Sequence, residues 1–286
     1  MSLTKKNLTI IIVSFKSNHV IEDCINSIDK EIKVLIVDNS NDTELELFVK
    51  NIYPDADIHL ISNNGYSDQI NHGVKFVKTE YFLISNPDVQ GINELNIQEF
   101  VKAAKQLKNK FSVLGPRYLD VNPKSLKQSK SNNMIAEMRF LSGACMFFYK
   151  KSYDLVGGFD NIYFLYFEEN DYCFRSKKFD KNYQINKIKV YHDAGNSVLS
   201  KNVKEIEDQR ELRSWHFVWS KFYYYRKNYS FLYALFFFIP IIIRTGIKVI
   251  YYSIKKDKIS YFKYKNRWSG MMSSIKGEKS YKRPKF

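Results

Sequence analysis

Short apolar runs alternate with helical patterns through the first two thirds of the chain. The runs are rich in β-branched residues, which predicts strands buried on both faces. The predicted strands are Leu8–Ser14, Ile32–Asp38, Asp57–Ser62, Tyr81–Ser85, Phe111–Gly115, Phe140–Tyr149 and Tyr183–Tyr191. Between them, the spacing of apolar residues predicts helices over His19–Ile28, Leu45–Val49, Tyr66–Val77, Leu95–Lys108 and Asp171–Phe179. This alternation predicts an α/β fold with a mostly parallel sheet flanked by helices.

From about Val203 onward the pattern becomes helical and very aromatic. Asn228–Ile243 contains no charged residue, includes Pro240 and is followed directly by Arg244. These sixteen residues fall short of the roughly 20 that a spanning helix needs, so we expect them to lie in a membrane interface, with a single span as the second possibility. We therefore divide the chain into a sheet domain over 1–200 and a helical, membrane-associating region over 201–286.

Positive charge is concentrated at the C-terminus. The formal net charge is +15, and residues 244–286 contribute +11 of it through thirteen basic and two acidic residues. An apolar segment followed by a polybasic one supplies the two signals that stable membrane attachment requires. We therefore expect an anionic membrane surface as a partner. A basic tail also suits nucleic acid, but that alternative leaves unexplained why the cations begin where the apolar run ends, so we expect no nucleic-acid partner.

The cysteines and the N-terminus indicate a cytoplasmic protein. Cys24, Cys145 and Cys173 are odd in number and far apart in sequence, which favours buried, reduced thiols over a disulfide framework or a zinc cluster. The first fifteen residues lack the long apolar segment and small-residue cleavage site of a signal peptide. With the basic tail, this predicts a peripheral protein on the inner face of the cell membrane.

Polar residues follow each of the first four predicted strands. They are Ser14-Phe15, Asp38, Asn64-Gly65 and the Asn86-Pro87-Asp88 turn. In open α/β sheets, ligands bind outside the carboxyl ends of the strands. A carboxylate such as Asp38 can accept from a base N–H or a ribose hydroxyl, and Asp88 could hold a divalent cation that bridges two phosphates. Each feature alone is equally typical of a turn or a helix cap, but the ordered set favours a nucleotide site.

A second group of candidates lies in the segment Tyr166–Arg175. Glu168, Glu169 and Asp171 place three acids within four residues at the start of a predicted helix. Acids at a helix N-terminus also stabilise the helix dipole, which is the simpler explanation. Aromatic residues flank these acids on both sides, and an apolar environment suits a carboxylate that acts as a general base. His192 ends the last predicted strand and could add an imidazole ligand for a metal such as Mn²⁺.

Together these stretches resemble the inverting family 2 glycosyltransferases of the GT-A fold, and in particular the rhamnosyltransferase-like branch of bacterial surface-polysaccharide synthesis. The resemblance runs from about Leu8 to Ser197. The matching stretches are LTIIIVSFKS, VLIVDNSND, NNGYSDQINHG, YFLISNPDV, FLSGACMFFYKKSYDLVGGFD, YFLYFEENDYCFR and YHDAGNS.

The resemblance implies a role for most of the candidates. Asp38 would contact the nucleoside base, and Asp88 would hold Mg²⁺ or Mn²⁺ on the donor diphosphate, with His192 as a further metal ligand. The family's Glu-Asp pair, which supplies the catalytic base, falls on Glu168-Glu169. Glutamate reaches one methylene further than aspartate, so the base is Glu169 or one of its neighbours, Glu168 and Asp171. The remaining donor contacts implied by the matching stretches are Ser14, Phe15, Asn64, Gly65, Asn71, Asn86, Gly143 and Arg175.

The activity implied is the inverting transfer of a sugar from a dTDP- or UDP-sugar, with dTDP-rhamnose as the branch's example, to a lipid-linked glycan such as O-antigen. Two other functions remain open. A sugar-1-phosphate nucleotidyltransferase would need a Gly-rich basic loop after the first strand, where this chain has Ser14–Asn18. A non-catalytic, basic membrane- or nucleic-acid-binding protein on the same fold would not need the acids at 88 and 169. The sequence leaves the oligomeric state open.

Overall fold

The computed structural model describes residues 7–119, 128–193, 195, 197–200 and 202–285. Within these ranges the chain forms nine strands and nine helices. The strands are β1 Leu8–Ser14, β2 Lys33–Asp38, β3 Asp57–Leu60, β4 Tyr81–Ser85, β5 Val89–Gln90, β6 Val113–Tyr118, β7 Ile135–Met138, β8 Cys145–Tyr149 and β9 Asn182–His192. The helices are α1 Asn18–Asn26, α2 Thr43–Ile52, α3 Tyr66–Val74, α4 Glu94–Gln106, α5 Lys150–Val156, α6 Glu168–Ser176, α7 Val203–Asn228, α8 Phe231–Ile254 and α9 Lys258–Lys276.

The strands form one mixed sheet in the order β3-β2-β1-β4-β8-β6-β9-β5, and β7 pairs with β9. The four strands from β3 to β4 are parallel, so their carboxyl ends lie along one edge. Strand β8 is antiparallel to β4 and β6, whereas β6 and β9 are parallel. The predicted α/β fold with a mostly parallel sheet is confirmed.

Both faces of the sheet are covered by helices, which explains the continuous apolar runs. In β1, Ile10 and Ile12 belong to one hydrophobic cluster, and Ile11 and Val13 belong to the cluster on the other side. Side chains alternate between the two faces of a strand, so a strand with two buried faces needs apolar residues at every position. All three cysteines are buried with free thiols, as the sequence predicted.

Several elements differ from the sequence prediction. The predicted strand Phe140–Tyr149 begins only at Cys145, because Gly143 and Ala144 form a turn in which Ser142 Oγ accepts from the Ala144 amide. Strands β5 and β7 and helix α5 were not predicted. The first two are two and four residues long, too short to show a periodic pattern.

The chain divides into two compact units. The first contains residues 1–159 and 172–199, and the second contains residues 160–171 and 200–286. The sequence-based division at residue 200 kept Asp160–Asp171 with the sheet, whereas the structure groups this segment with the C-terminal helices. The chain therefore passes from the second unit to the first within α6, between Asp171 and Tyr172.

The second unit is built from the three long helices α7, α8 and α9. Their core contains Val218, Phe222, Phe238 and Met271. Gly270 of α9 allows a close approach to α7, because a Cβ atom at this position would lie 2.4 Å from the carbonyl oxygen of Trp215. Any larger residue would force the two helices apart.

Helix α8 is longer than the apolar run that predicted it. It continues through Pro240 and Arg244 for 24 residues, with a mean hydropathy of 1.8 over its most apolar stretch. Ala234 and Thr245, on either side of the proline, are both buried, so packing maintains the helix where the local sequence would interrupt it. Among the described residues it is the one helix whose length and composition would allow it to cross a membrane. Length therefore does not argue against a span, and the interfacial location stays a prediction.

Candidate active site

Gln69 joins the carboxyl ends of the neighbouring parallel strands β1 and β2. From α3, its Nε2 donates to the carbonyl oxygens of Ser14, at 2.8 Å, and Val37, at 3.1 Å. Ser14 and Asp38 are register partners at the ends of these strands. The adjacent Phe15 enters a tight turn in which its amide lies 3.3 Å from Ser17 Oγ. Sequence reasoning missed Gln69, because its partners lie 55 and 32 residues away.

Asp38 is fully buried at this edge. Its Oδ1 accepts from the amide of Ser40 at 2.8 Å and from the Ser40 hydroxyl at 2.6 Å. Burial raises the pKa of Asp38 above its usual value, and hydrogen bonds from Ser40 and Ser14 offset part of this effect. A buried carboxyl group held in one orientation is suited to accept from a polar N–H or O–H group of a ligand.

The turn after β3 lies beside Asp38. The side-chain amide of Asn39 donates to Asn63 Oδ1 at 3.0 Å, which ties this turn to the end of β2. Gly65 has a φ of 108° at the start of α3, a conformation that side chains with a Cβ rarely adopt. Asn64 Nδ2 lies 3.3 Å from Asp68 Oδ2 on the first turn of that helix. A helix start of this kind favours an anionic ligand through its backbone amides and the helix dipole.

Tyr66 links two of the predicted donor contacts. Its hydroxyl lies 2.8 Å from Asn86 Oδ1 and 2.8 Å from the carbonyl oxygen of Gly143. The Asn86 amide also donates to the Ala144 carbonyl at 2.8 Å. The turn that carries Asp88 is therefore held to the segment before β8. Tyr66 stands in the NNGYSDQ stretch, but its role was not predicted.

Asp88 is a buried carboxylate to which the described residues donate no hydrogen bond at either oxygen. Its side chain is 1% exposed, and His192 Nε2 lies 3.4 Å from its Oδ1. The short strand β5 causes this proximity, because it pairs Val89 with His192 in antiparallel register, and the Asp193 amide donates to the Asp88 carbonyl oxygen. A buried polar atom normally has a partner, so two unsatisfied carboxylate oxygens indicate a site for a ligand or an ion.

A divalent cation fits this pair of side chains. Carboxylate oxygens are preferred by Mg²⁺ and Mn²⁺, and an imidazole is acceptable to Mn²⁺. Among the described residues, no group of three or more His, Cys, Asp and Glu side chains is placed to hold a metal. Two protein ligands leave several coordination positions, which substrate phosphates and water fill in many Mg²⁺ sites.

Two predicted donor contacts have a different task in the structure. The Asn71 side chain bonds the backbone of Phe159 through both its oxygen and its nitrogen, and also accepts from the Tyr153 hydroxyl. Arg175 donates to the carbonyl oxygens of Val156 and Gly158 at 2.9 and 2.6 Å. These bonds support the loop after α5, and the donor contacts expected of both residues stay predictions.

The second unit carries the acidic segment. Tyr166 and Phe167 both have left-handed backbones, with φ of 68° and 70°, directly before Glu168. Such strain costs on the order of 1–3 kcal/mol per residue and clusters at functional sites. Rings of Phe217 and Tyr224 from α7 pack against these two residues. Glu168 is buried, whereas Glu169 is half-buried and accepts from Asn170 Nδ2 at 3.0 Å.

The third acid, Asp171, is bonded within the second unit. Asp171 is fully buried, and it accepts from Lys227 Nζ at 2.8 Å and from Asn228 Nδ2 at 2.9 Å. Lys227 also bonds Asp160 Oδ2 at 2.7 Å. A carboxylate that is buried and paired in this way is held by the fold and is poorly placed to take a proton from a substrate. We therefore favour Glu169 and Glu168 over Asp171 as candidates for the base.

Comparisons with known proteins identify the family and the fold. The sequence profile of glycosyl transferase family 2 matches residues 9–162, more than half of the chain. The low-salt glycan biosynthesis hexosyltransferase Agl10 of Haloferax volcanii is 25% identical over 207 residues, which cover 64% of this chain. The chain spans 65% of the length of that relative.

Solved structures share the fold at low sequence identity. A mannosyltransferase from Pyrobaculum calidifontis, in complex with GDP-Man and Mn²⁺, is 14% identical over 94% of this chain and 87% of its own, with a TM-score of 0.57. A fragment of S. aureus TarS in complex with UDP-GlcNAc is 16% identical over 96% of this chain and 93% of its own, with a TM-score of 0.54. The fold is GT-A, and the profile match shows that this protein belongs to glycosyl transferase family 2.

Proposed function

We propose that the protein is an inverting glycosyltransferase that moves a sugar from a nucleotide-sugar donor to a hydroxyl group of a growing glycan. The observation that carries the proposal is Asp88. It is a buried carboxylate with no hydrogen bond to its oxygens from the described residues, it lies 3.4 Å from His192, and it stands at the sheet edge that also holds Asp38. Its position suits a residue whose carboxylate oxygens gain partners only when the donor and the cation bind.

Asp88 and His192 would hold the divalent cation. When bound, such a cation offsets the negative charge that the departing nucleoside diphosphate develops. Asp38 would accept a hydrogen bond from the nucleoside, and Gly65 would let the backbone at the start of α3 approach the donor closely. Asn86 and Gly143, which Tyr66 ties together, would form the neighbouring wall of the donor site.

Glu169 would act as the general base. Its carboxylate takes the proton of the acceptor hydroxyl while the hydroxyl oxygen forms a bond to the anomeric carbon. The bond between that carbon and the diphosphate oxygen breaks on the opposite face, so the configuration inverts in one step and the leaving group carries the electron pair away. The strained backbone at Tyr166-Phe167 and the half-exposed position of Glu169 support this role over one for buried Glu168.

For the donor we propose dTDP-L-rhamnose, on the resemblance to the rhamnosyltransferase-like branch. The solved neighbours bind GDP-Man and UDP-GlcNAc, so the nucleoside and the sugar must be tested together. For the acceptor we propose a lipid-linked glycan of the bacterial surface, such as O-antigen, at the inner face of the cell membrane.

The test is a thermal-unfolding series with a panel of nucleotide sugars and Mg²⁺ or Mn²⁺. A donor that binds stabilises the folded protein by mass action, by about 2.7 kcal/mol at a hundredfold excess over Kd. This stabilisation raises the unfolding temperature. Release of free nucleoside diphosphate in the presence of acceptor then measures turnover. Excess EDTA should abolish both the metal-dependent shift and the release.

The matched variants are Asp88→Asn and Asp154→Asn. Asp154 is an exposed aspartate in the same unit, paired with Lys150 on α5. We expect Asp88→Asn to keep its fold, to lose the metal-dependent shift and to lose about 10²–10³-fold in turnover, the usual cost of removing a group that stabilises transition-state charge. Asp154→Asn should behave as the unsubstituted protein. Full metal-dependent turnover in Asp88→Asn would rule out the assignment.

A further inference from the structure

Helix α8 of the second unit exposes a continuous apolar stripe. Its members are spaced three or four residues apart, so they lie on one side of the helix, and each is between 46% and 77% exposed. They are Leu232, Phe236, Ile239, Ile243, Ile247, Ile250 and Ile254. From the first to the last the stripe is about 33 Å long, at 1.5 Å per residue. Soluble monomers rarely expose an apolar patch of this size without an interaction partner.

The opposite face of α8 is already occupied within the second unit. Ala234, Phe238 and Thr245 are buried, and the Phe238 ring lies 5.0 Å from the ring of Phe222 on α7. The Phe237 ring also packs against Tyr225 of α7, with the ring centroids 4.3 Å apart. The stripe is therefore the solvent-facing side of a helix whose other side is fixed to its neighbours.

Exposed cations lie beside the stripe and at its C-terminal end. Arg244 is exposed in the middle of α8, and Lys255, Lys256 and Lys258 are exposed where α8 gives way to α9. A second copy of this chain docked on the stripe would bring two regions of net charge +11 together, which is unfavourable. An anionic surface removes that repulsion and attracts the cations.

We propose that the stripe inserts α8 into an anionic lipid surface, with the helix axis in the plane of the membrane and without crossing it. Crossing would place Arg244 near the centre of the bilayer, where a charged side chain is costly. It would also pull the packed face of α8 away from α7, whose own sequence is strongly charged. In the plane, the stripe enters the acyl region while the cations remain at headgroup level. This inference deepens the proposed membrane location but does not depend on the transfer reaction.

The first test measures binding of the full chain to vesicles containing about one third phosphatidylserine. Phe236→Glu/Ile250→Glu removes two exposed members of the stripe and should weaken binding about tenfold or more. The matched control is Leu47→Glu/Leu95→Glu, which changes two apolar residues of the first unit that are 72% and 73% exposed. The control should bind normally, and neither variant should change the unfolding temperature without lipid, since all four side chains face solvent.

The cations are tested in the same assay. Replacing Lys255, Lys256 and Lys258 with Gln should weaken binding on the order of 100-fold, at roughly fivefold per basic residue near an anionic surface. Replacing the exposed lysines Lys102, Lys105 and Lys108 of the first unit should leave binding unchanged. Equal binding to neutral phosphatidylcholine vesicles, or a lipid-free dimer that Phe236→Glu/Ile250→Glu dissociates and that binds no vesicles, would overturn the proposal.

The second test separates an in-plane helix from a spanning one. The native cysteines are all buried, so a nitroxide label can be directed to Leu232→Cys, Ile243→Cys or Ile254→Cys one at a time. Paramagnetic accessibility then reports the depth of each label. An in-plane helix gives three similar, shallow depths, whereas a span places the label at 243 about 16 Å deeper than the other two. Donor binding, measured without vesicles, tests the proposed function separately.

Discussion

Two buried aspartates, one in each compact unit, have opposite surroundings. Asp88 of the first unit receives no hydrogen bond at either side-chain oxygen from the described residues. Asp171 of the second unit accepts from Lys227 and Asn228 within 2.9 Å. Burying an unsatisfied carboxylate is costly, and burying a paired one is much less so. The first arrangement costs stability and is the one expected of a ligand site, whereas the second holds a helix start in place.

The sheet edge of the first unit and the ion pairs of the second unit differ in the same way as these two aspartates. Along the sheet edge, Asp38 has a pKa raised by burial, and Asn39 Oδ1 has no partner among the described residues. In the second unit, Lys227 forms ion pairs with both Asp160 and Asp171, and we call these three residues the ion-pair chain. We therefore expect substitutions at the sheet edge to affect donor binding and turnover, and substitutions in the ion-pair chain to affect stability. Glu169 is the exception to test, because it lies in the second unit but carries a proposed catalytic role.

The largest expected effect is at Glu169. Glu169→Gln preserves the shape of the side chain and removes its basicity, so kcat should fall by about 10²–10⁴-fold while the Kd of the donor stays the same. The measurement is kcat from diphosphate release together with donor Kd from thermal shifts. Glu168→Gln is the matched variant one residue away. If Glu168→Gln loses turnover and Glu169→Gln does not, the base is Glu168; if both are active, neither is the base.

The second prediction concerns Asp171. Asp171→Asn removes the buried carboxylate that Lys227 pairs with, and breaking a fully buried ion pair costs about 3–5 kcal/mol. Because the Lys227 side chain is 26% exposed and keeps Asp160, we expect a smaller loss, of about 1.5–3 kcal/mol. All three tryptophans lie in the second unit, so the denaturant midpoint reported by tryptophan fluorescence should fall. Donor affinity should be unchanged.

The control for Asp171 is the exposed pair of Lys150 and Asp154, whose atoms approach to 2.6 Å. Asp154→Asn should change the free energy of unfolding by less than about 0.5 kcal/mol, since exposed i,i+4 pairs contribute little. If Asp171→Asn were as stable as the control yet inactive, Asp171 would belong to the catalytic machinery and the contrast between the two units would fail.

The third prediction is a pH dependence in the second unit. Burial lowers the pKa of His216 to about 4, and its Nε2 donates to the Lys282 carbonyl at 2.9 Å. In the unfolded chain this histidine has its ordinary pKa of 6.5, so above that pH it is neutral in both states and the free energy of unfolding is not reduced by its protonation. Stability is lost as the pH falls toward 4, by about 3 kcal/mol in total. His216→Gln should flatten the fluorescence-detected unfolding curve between pH 6.5 and 4, whereas His19→Gln, at an exposed position, should not.

The sequence predicted the parts of this protein that depend on local patterns. Strands β1 and β4 have the predicted bounds, because continuous apolar runs ended by polar turns are strong local signals. The proximity of Asp88 and His192 depends on β5, a two-residue strand that no periodicity could reveal. The sequence placed both residues at strand ends but could not pair them.

The sequence could not predict which polar side chains are hydrogen-bonded to other parts of the fold. Asn71 bonds a residue 88 positions away, Arg175 bonds the loop after α5, and Asp171 bonds α7 from 56 positions away. Each of these side chains is as polar as a true ligand-binding one. Only the hydrogen-bond partners in the folded chain distinguish a residue that supports a loop from one that is placed to bind a substrate.

The smallest expected effect, and the most direct test of the contrast, is at Asp38. Burial raises its folded pKa above the unfolded value of 3.8, so its ionisation costs stability as the pH rises through the folded pKa. Asp38→Asn keeps an oxygen that can accept from Ser40 and removes the buried charge. The variant should therefore be more stable than the unsubstituted protein at pH 7, and this gain should disappear below pH 3.8, where both the folded and the unfolded carboxyl are protonated.

Nucleotide-sugar affinity of Asp38→Asn should fall by about tenfold, since a charged acceptor contributes roughly 1.5–3 kcal/mol to a hydrogen bond. Calorimetry across pH together with donor titration measures both changes on one sample. A variant that gained stability and kept full donor affinity would remove Asp38 from the donor site, and one that lost stability at pH 7 would show that this carboxylate supports the fold as Asp171 does.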